Sequence, residues 1–337
     1  MKALVTGGNG FIGSALVKKL LHSGFEVRCL ANRSSSRLQS LPVEIMQGSV
    51  TDRAVCAKAV AGMTHVYHLA ARATDWGRRE QFFSVNAEGT RNIGQACAAA
   101  GVMRLVLMSS LAVHRFIGYI DGDESAPADQ DRYGYGASKV AAEQIVRELG
   151  RGGKLETVIV RPGAVVFGAE DTTAFIYMAP LLERGRWTHV AGGLPLICCS
   201  QVENLADGLV LAGTHPRAAG GTFLITDDLK LSWKEFISAA IGAFGQEERT
   251  LSFPVTVART AGSALEALYR FVGAQNPPPI TDYRTALVCK DFHFGCQKAK
   301  AVLGYQPRIS LQEGLRQAVD WYRQWKTGVP PALPILR

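Results

Sequence analysis

The run Gly7-Gly8-Asn9-Gly10-Phe11-Ile12-Gly13 constrains this chain more than any other stretch. It follows the apolar segment 2–6, which reads as a buried strand. It precedes 14–21, whose apolar residues recur at helical spacing. A strand, a glycine turn and a helix in that order make a cradle for phosphate, because the free N–H groups and the dipole at a helix N-terminus favour an anion. Gly7 admits a backbone conformation closed to other residues, Gly10 lets the backbone approach phosphate, and Gly13 lets helix and strand pack closely. The spacing is G-x-x-G-x-x-G, not the G-x-G-x-x-G of the commoner dinucleotide fingerprint.

A second constellation lies far downstream. Tyr135 and Lys139 are four residues apart in a segment, 133–149, that reads as a helix, so both side chains share one face. An ammonium beside a phenol favours the phenolate, which predicts a tyrosine pKa below its usual value of about 10. Such a tyrosine exchanges a proton with an alcohol or carbonyl oxygen. Tyr133, six residues from Lys139, falls on another face and is the reserve base. Upstream, 105–108 reads as a strand ending in Ser109-Ser110, where a hydroxyl is placed to hold the same oxygen.

With these motifs the chain resembles the extended short-chain dehydrogenase/reductase family, or NAD-dependent epimerase/dehydratase superfamily. The resemblance continues through His68-Leu69-Ala70-Ala71, through Val85-Asn86-Ala87-Glu88-Gly89-Thr90-Arg91-Asn92 as a helix start, and through Ser109-Ser110-Leu111-Ala112-Val113. It extends to Arg161-Pro162-Gly163, to Val202-Glu203-Asn204-Leu205-Ala206-Asp207 and to the segment 298–307, and so covers nearly the whole chain. It implies a catalytic set of Ser110, Tyr135 and Lys139, and no metal. It also implies a nicotinamide cofactor held by Gly7, Gly10, Phe11, Ile12 and Gly13, then by Arg33, Ser49 and Val50, and by Leu69, Ala70 and Ala71. Asn86, Met108, Tyr135, Lys139, Pro162 and Gly163 complete the cofactor set.

The fold expected is α/β: a Rossmann-type doubly wound parallel sheet with a smaller, interleaved C-terminal substrate domain. Strands are expected at 2–6, 25–30, 43–47, 65–69, 104–108 and 157–161, alternating with helices, and alternation of this kind implies a parallel sheet. Residues 174–187 read as helix, 221–226 as a strand returning to the sheet, and 232–244 as a helix capped by Ser232. The dinucleotide-binding domain is assigned 1–165 and 196–226, and the substrate domain 166–195 and 227–337. The apolar stretch 251–275 reads as a packed helix, a lid over a greasy substrate or a membrane-surface contact, with Leu265, Leu268, Phe271 and Val272 on one face.

Composition sets limits. The chain has 337 residues, 47% hydrophobic and 20% charged, as in ordinary globular proteins. No apolar run reaches the ~18 residues of a membrane span, and Met1-Lys2 leads straight into the first strand. A cytoplasmic location is therefore expected, with association at the inner membrane face as an alternative. Seven cysteines without zinc-type spacing read as reduced thiols. The net charge of +8 is spread along the chain, and with no binding module or aromatic-basic stripe it does not indicate nucleic acid. A homodimer is compatible with all of this.

Between Val27 and Val43 there is no acid to bond a ribose 2′-hydroxyl. Arg33 and Arg37, with serines between them, suit a 2′-phosphate instead, so NADP is preferred to NAD. Gly48-Ser49-Val50-Thr51-Asp52 departs from the family's G-D-x-x-D at Ser49. Residues 161–168 and 197–201 lack the family's nucleotide-sugar features. With the Arg-Pro-Gly turn and the apolar 251–275 stretch, the pattern is closest to the 3β-hydroxysteroid dehydrogenase-like branch. The resemblance then implies hydride transfer between a hydroxyl and an oxo group on a small hydrophobic substrate, sterol-like or a β-keto/β-hydroxy acid. A nucleotide-sugar epimerase or dehydratase and a non-catalytic NADP(H)-binding regulatory protein are the alternatives. His114 stands where many relatives have tyrosine, and Trp76 and Trp187 are candidate pocket walls.

Overall fold

A computed structural model describes residues 1–33, 36–274 and 276–328. Seven strands form one parallel sheet: β1 (Lys2–Thr6), β2 (Glu26–Ala31), β3 (Glu44–Gln47), β4 (His65–His68), β5 (Arg104–Met108), β6 (Glu156–Pro162) and β7 (Thr222–Ile225). Their spatial order is β7-β6-β5-β4-β1-β2-β3, and every neighbouring pair is parallel. Helices α1 (Phe11–His22), α2 (Gly89–Ala100), α3 (Gly134–Arg151) and α4 (Val202–Thr214) cover it.

Side chains of a strand alternate between faces, so β1 feeds two cores at once. Ala3 and Val5 pack with Leu16 and Leu20 of α1 and Leu205 and Leu209 of α4. Leu4 packs on the opposite face with Ile93 of α2 and Val146 of α3. Burial on both faces is why these strands read as nearly unbroken apolar runs. The strand order reverses between β4 and β1, and in such sheets ligands bind at the carboxyl ends of the strands beside that switch.

A third core joins Phe167, Phe175, Leu182, Ile197, Phe236 and Leu315. Trp187 packs against this core, so it is a structural tryptophan and not a pocket wall. The packing does not divide at 227 as expected, since Cys296, Ala299, Leu303 and Tyr305 belong to the core beside α1 and α4.

Three local expectations are corrected. The helix expected over 174–187 ends at Leu182; Gly185 turns the chain with a φ of +65°, and Arg186–Val190 pairs as a strand with Arg249–Phe253. Val85 does not start a helix. The helix begins at Arg79, widens to a π-turn over Phe83–Glu88 and continues as α2, so Asn86 sits in its middle. The stretch 251–275 is not core: helix α5 (Val255–Phe271) buries only Ala258 and Gly262, and Phe271 is 90% exposed. It rests on the short helix α6 (Asp282–Val288). All seven cysteines are free and six are buried. Among the described residues no helix is long and apolar enough to cross a membrane.

Candidate active site

The glycine turn is built for close approach. Gly7 has a φ of +74°, and a Cβ on it would lie 2.9 Å from the Ala70 nitrogen at the end of β4. A Cβ on Gly13 would lie 2.1 Å from the Gly7 carbonyl oxygen, so neither position admits a side chain. Helix α1 then starts without a side-chain cap at Gly10 and without an acid in its first turn, leaving its N-terminal N–H groups for an anion. Buried Phe11 and partly buried Ile12 anchor that end of the helix in the core. A cavity of about 610 Å³ touches Asn32, Ala71, Arg72 and Val85 beside the ends of β2 and β4. These features fit the diphosphate of a dinucleotide.

The ribose end is less uniform. The Asn9 side chain donates to the Arg33 carbonyl across 3.1 Å, joining the glycine turn to the end of β2, and the Arg33 side chain is exposed. Arg37, expected to share the phosphate with Arg33, is turned towards Glu170 and donates to its carbonyl at 2.9 Å. Ser34 and Ser35 lie outside the described residues. The Ser49 hydroxyl is bonded within its own turn to Thr51. Val50 is buried, and its carbonyl accepts from Asn92.

Tyr135 and Lys139 lie one turn apart near the start of α3. Lys139 is buried, and its ammonium donates to the Met108 carbonyl at the end of β5 across 2.9 Å. Burial pulls its pKa down to about 8 against the field of Glu143. Ser110 caps the short turn Leu111–Val113, its Oγ accepting from the Ala112 N–H at 3.1 Å. Ser110 lies close enough to Tyr135 for its hydroxyl to favour the phenolate. The expected depression of the tyrosine pKa does not occur. Desolvation raises it, and the Ser110 hydroxyl opposes the rise only in part. Tyr133 stands outside the helix as its N-cap and donates to Asp282 at 2.9 Å; burial and that carboxylate push its pKa up.

Other expected residues brace this centre. The Asn86 amide oxygen accepts from the Arg72 N–H at 2.8 Å, and its nitrogen donates to the Ser138 hydroxyl at 2.9 Å. Asn86 thus ties the loop after Leu69-Ala70-Ala71 to α3, which carries Tyr135 and Lys139. Gly163, after Pro162, lies where a Cβ would be 2.6 Å from the Cys199 backbone. His114 is wholly buried and stacked on Phe294, so it lines no substrate space. Trp76 is buried and donates to the Ala274 carbonyl at 3.1 Å.

Sequence reasoning passed over two groups. His68 is buried, with Nδ1 2.7 Å from Thr6 Oγ1 and Nε2 3.1 Å from Thr90 Oγ1. Because Thr90 donates to the Asn86 carbonyl and Thr6 accepts from the Ala70 N–H, His68 carries its proton on Nε2. Burial and the nearby Lys139 lower its pKa to about 3. The second group is Glu143 with Arg161, both buried. Charged residues inside an apolar strand and on the inner face of a helix were the available signal.

An aromatic cluster gathers around Tyr133 at the start of α3. Phe116 contacts Tyr133, Tyr283 and Phe292 at centroid separations of 5.6, 5.2 and 5.2 Å.

Comparison with known proteins agrees with this geometry. The model of the NAD dependent epimerase/dehydratase family matches residues 3–225. A 2-alkyl-3-oxoalkanoate reductase of Stenotrophomonas maltophilia is 30% identical, over 94% of this chain and 98% of its own. A 3 beta-hydroxysteroid dehydrogenase/Delta 5-->4-isomerase of Mycobacterium tuberculosis is 31% identical, over 95% and 90%. The structure of the Thermus thermophilus UDP-glucose 4-epimerase complex with NAD superposes with a TM-score of 0.74 at 25% identity, covering 96% of this chain and 99% of that one.

Proposed function

The chain belongs to the NAD dependent epimerase/dehydratase family, and from that premise we propose an NAD(P)-dependent oxidoreductase that interconverts an oxo and a hydroxyl group on a hydrophobic substrate, working as a ketone reductase. The observation that carries this reading is the placement of Tyr135 and Lys139 one turn apart on α3, with the Lys139 ammonium bonded at 2.9 Å to the carbonyl of Met108, two residues before Ser110. The nicotinamide, when bound, supplies the hydride.

Burial keeps Tyr135 protonated at neutral pH, the state needed to give a proton to an oxo oxygen. Ser110 orients that oxygen through its hydroxyl. Lys139 carries positive charge below its pKa of about 8 and stabilises the phenolate left after transfer. Reduction therefore uses Tyr135 in its resting form, whereas oxidation must first ionise it.

The aromatic cluster of Phe116 and Tyr283 around Tyr133, two residues from Tyr135 along the chain, supports an apolar substrate. So do the reductase and steroid dehydrogenase relatives and the absence of a cation after Phe167, where Gly168 stands. For the cofactor, exposed Arg33 at the end of β2, with no acid in that segment, supports NADP(H) over NAD(H). A panel of 3-oxoalkanoates, oxosterols and UDP- or GDP-sugars, followed at the nicotinamide absorbance and by product analysis, tests the reading. Turnover of the lipid ketones supports it. Conversion of a nucleotide sugar with no lipid turnover overturns it.

A further inference from the structure

We infer that Glu143 and Arg161 are positioning residues for this chemistry, holding the Ser110 turn against the helix that carries Tyr135 and Lys139; the inference rests on the roles given to those three residues above. Arg161, on β6, donates to both carboxylate oxygens of Glu143, Nε to Oε1 at 2.8 Å and Nη2 to Oε2 at 2.7 Å. The two side chains are 2% and 3% exposed. Glu143 lies one helical turn beyond Lys139.

The pair grips both ends of the Ser110 turn. On one side the Ser109 hydroxyl donates to Glu143 Oε1 at 2.6 Å, and Ser109 lies between Met108, the partner of Lys139, and Ser110. On the other side Arg161 Nη1 is 3.3 Å from His114 Nε2, and His114 closes the turn through its N–H to the Leu111 carbonyl. His114 Nδ1 meets the Pro127 carbonyl at 2.8 Å. That nitrogen must carry the proton, so Nε2 accepts from Arg161. Ser110 thus leaves the sheet between two points fixed to one buried ion pair.

A buried pair of this kind gives little folding stability that apolar side chains of equal volume would not give, whereas removing one partner leaves a stranded charge. That contrast separates positioning from packing. The ionisable groups acting on or sensing Lys139 are Glu143 on its own helix and His68 from β4, with Tyr135 one turn before it on the same helix. Loss of Glu143 removes the field that supports the Lys139 charge.

The test compares wild type, Glu143→Gln, the double variant Glu143→Leu with Arg161→Met, and Ser109→Ala. The readouts are melting, cofactor affinity, reduction of a long-chain 3-oxoalkanoate and amide hydrogen exchange over 108–114. Glu143→Gln loses both melting temperature and turnover. The double variant regains melting temperature but keeps a kcat about 10- to 100-fold down, with cofactor affinity unchanged, faster exchange over 108–114 and the alkaline limb of its rate profile at lower pH. A double variant that regains wild-type kcat and pH profile overturns the inference. Should the double variant not fold, Ser109→Ala decides: lower kcat with faster exchange supports positioning, and wild-type values for both overturn it. Tyr135→Phe, run in parallel, isolates the underlying assignment; full turnover in that variant condemns the role of Tyr135 itself.

Discussion

The Lys139 ammonium donates to the Met108 carbonyl across 2.9 Å, which joins α3 to the end of β5 beside Ser110. This charge-assisted bond engages one of the three ammonium donors and leaves the charge itself in place, while burial sets the direction of the tyrosine pKa. The proton chemistry of the site follows from that division.

Tyr135→Phe keeps the ring and removes the proton donor. Reduction of a ketone substrate falls by roughly 10²–10⁴-fold, while cofactor affinity measured by fluorescence titration stays near wild type. Tyr133→Phe loses only its bond to Asp282 and retains most activity. The reverse pattern would make Tyr133 the donor.

The pH dependence is set by Lys139, whose pKa lies at about 8. Below that pH the ammonium is present to stabilise the phenolate formed on proton transfer; above it the charge is lost. The value of kcat/KM for reduction is level through neutrality and declines on the alkaline side with a midpoint near 8. A profile still flat well above that midpoint excludes Lys139 as the controlling group.

Arg33→Ala weakens NADP(H) far more than NAD(H), because only the former carries a 2′-phosphate for the guanidinium. One charge-assisted contact corresponds to about 1.5–3 kcal/mol, or roughly 10- to 150-fold in Kd. Calorimetric titration of both cofactors against both proteins measures it. Equal losses for the two cofactors remove the case for NADP(H).

Asp227 accepts from the Gln201 N–H at 2.7 Å and the Asn204 side chain at 2.9 Å, and Asn204 holds the N–H groups of Arg308 and Ile309. Burial lifts its pKa to about 6, above the 3.8 of a free aspartate. The folded state therefore binds more protons between those values. The group's contribution is complete below the lower one and is lost as pH rises through the upper. Urea denaturation between pH 4 and 7 should show the stability advantage of wild type over Asp227→Asn shrinking as pH rises, by on the order of 2–3 kcal/mol. An advantage that grows with pH contradicts the assignment.

The glycine turn, the sheet strands and the shared face of Tyr135 and Lys139 were legible in the sequence because each depends on near neighbours. Backbone freedom at Gly7, the alternation of Ala3, Leu4 and Val5, and a four-residue helical spacing need no distant partner. Other properties came only with the tertiary structure. The tyrosine pKa rises because burial outweighs the opposing effect of the Ser110 hydroxyl, and burial belongs to the assembled fold. Arg37 is directed to Glu170, 133 positions away, and Arg186–Val190 is a strand because Arg249–Phe253 lies beside it. Asn86 sits within a π-turn whose use is visible only when Arg72 and Ser138 reach it. Local sterics and periodicity are written in adjacent residues, whereas desolvation, charge pairing and strand pairing are set by which distant segments the fold brings into contact.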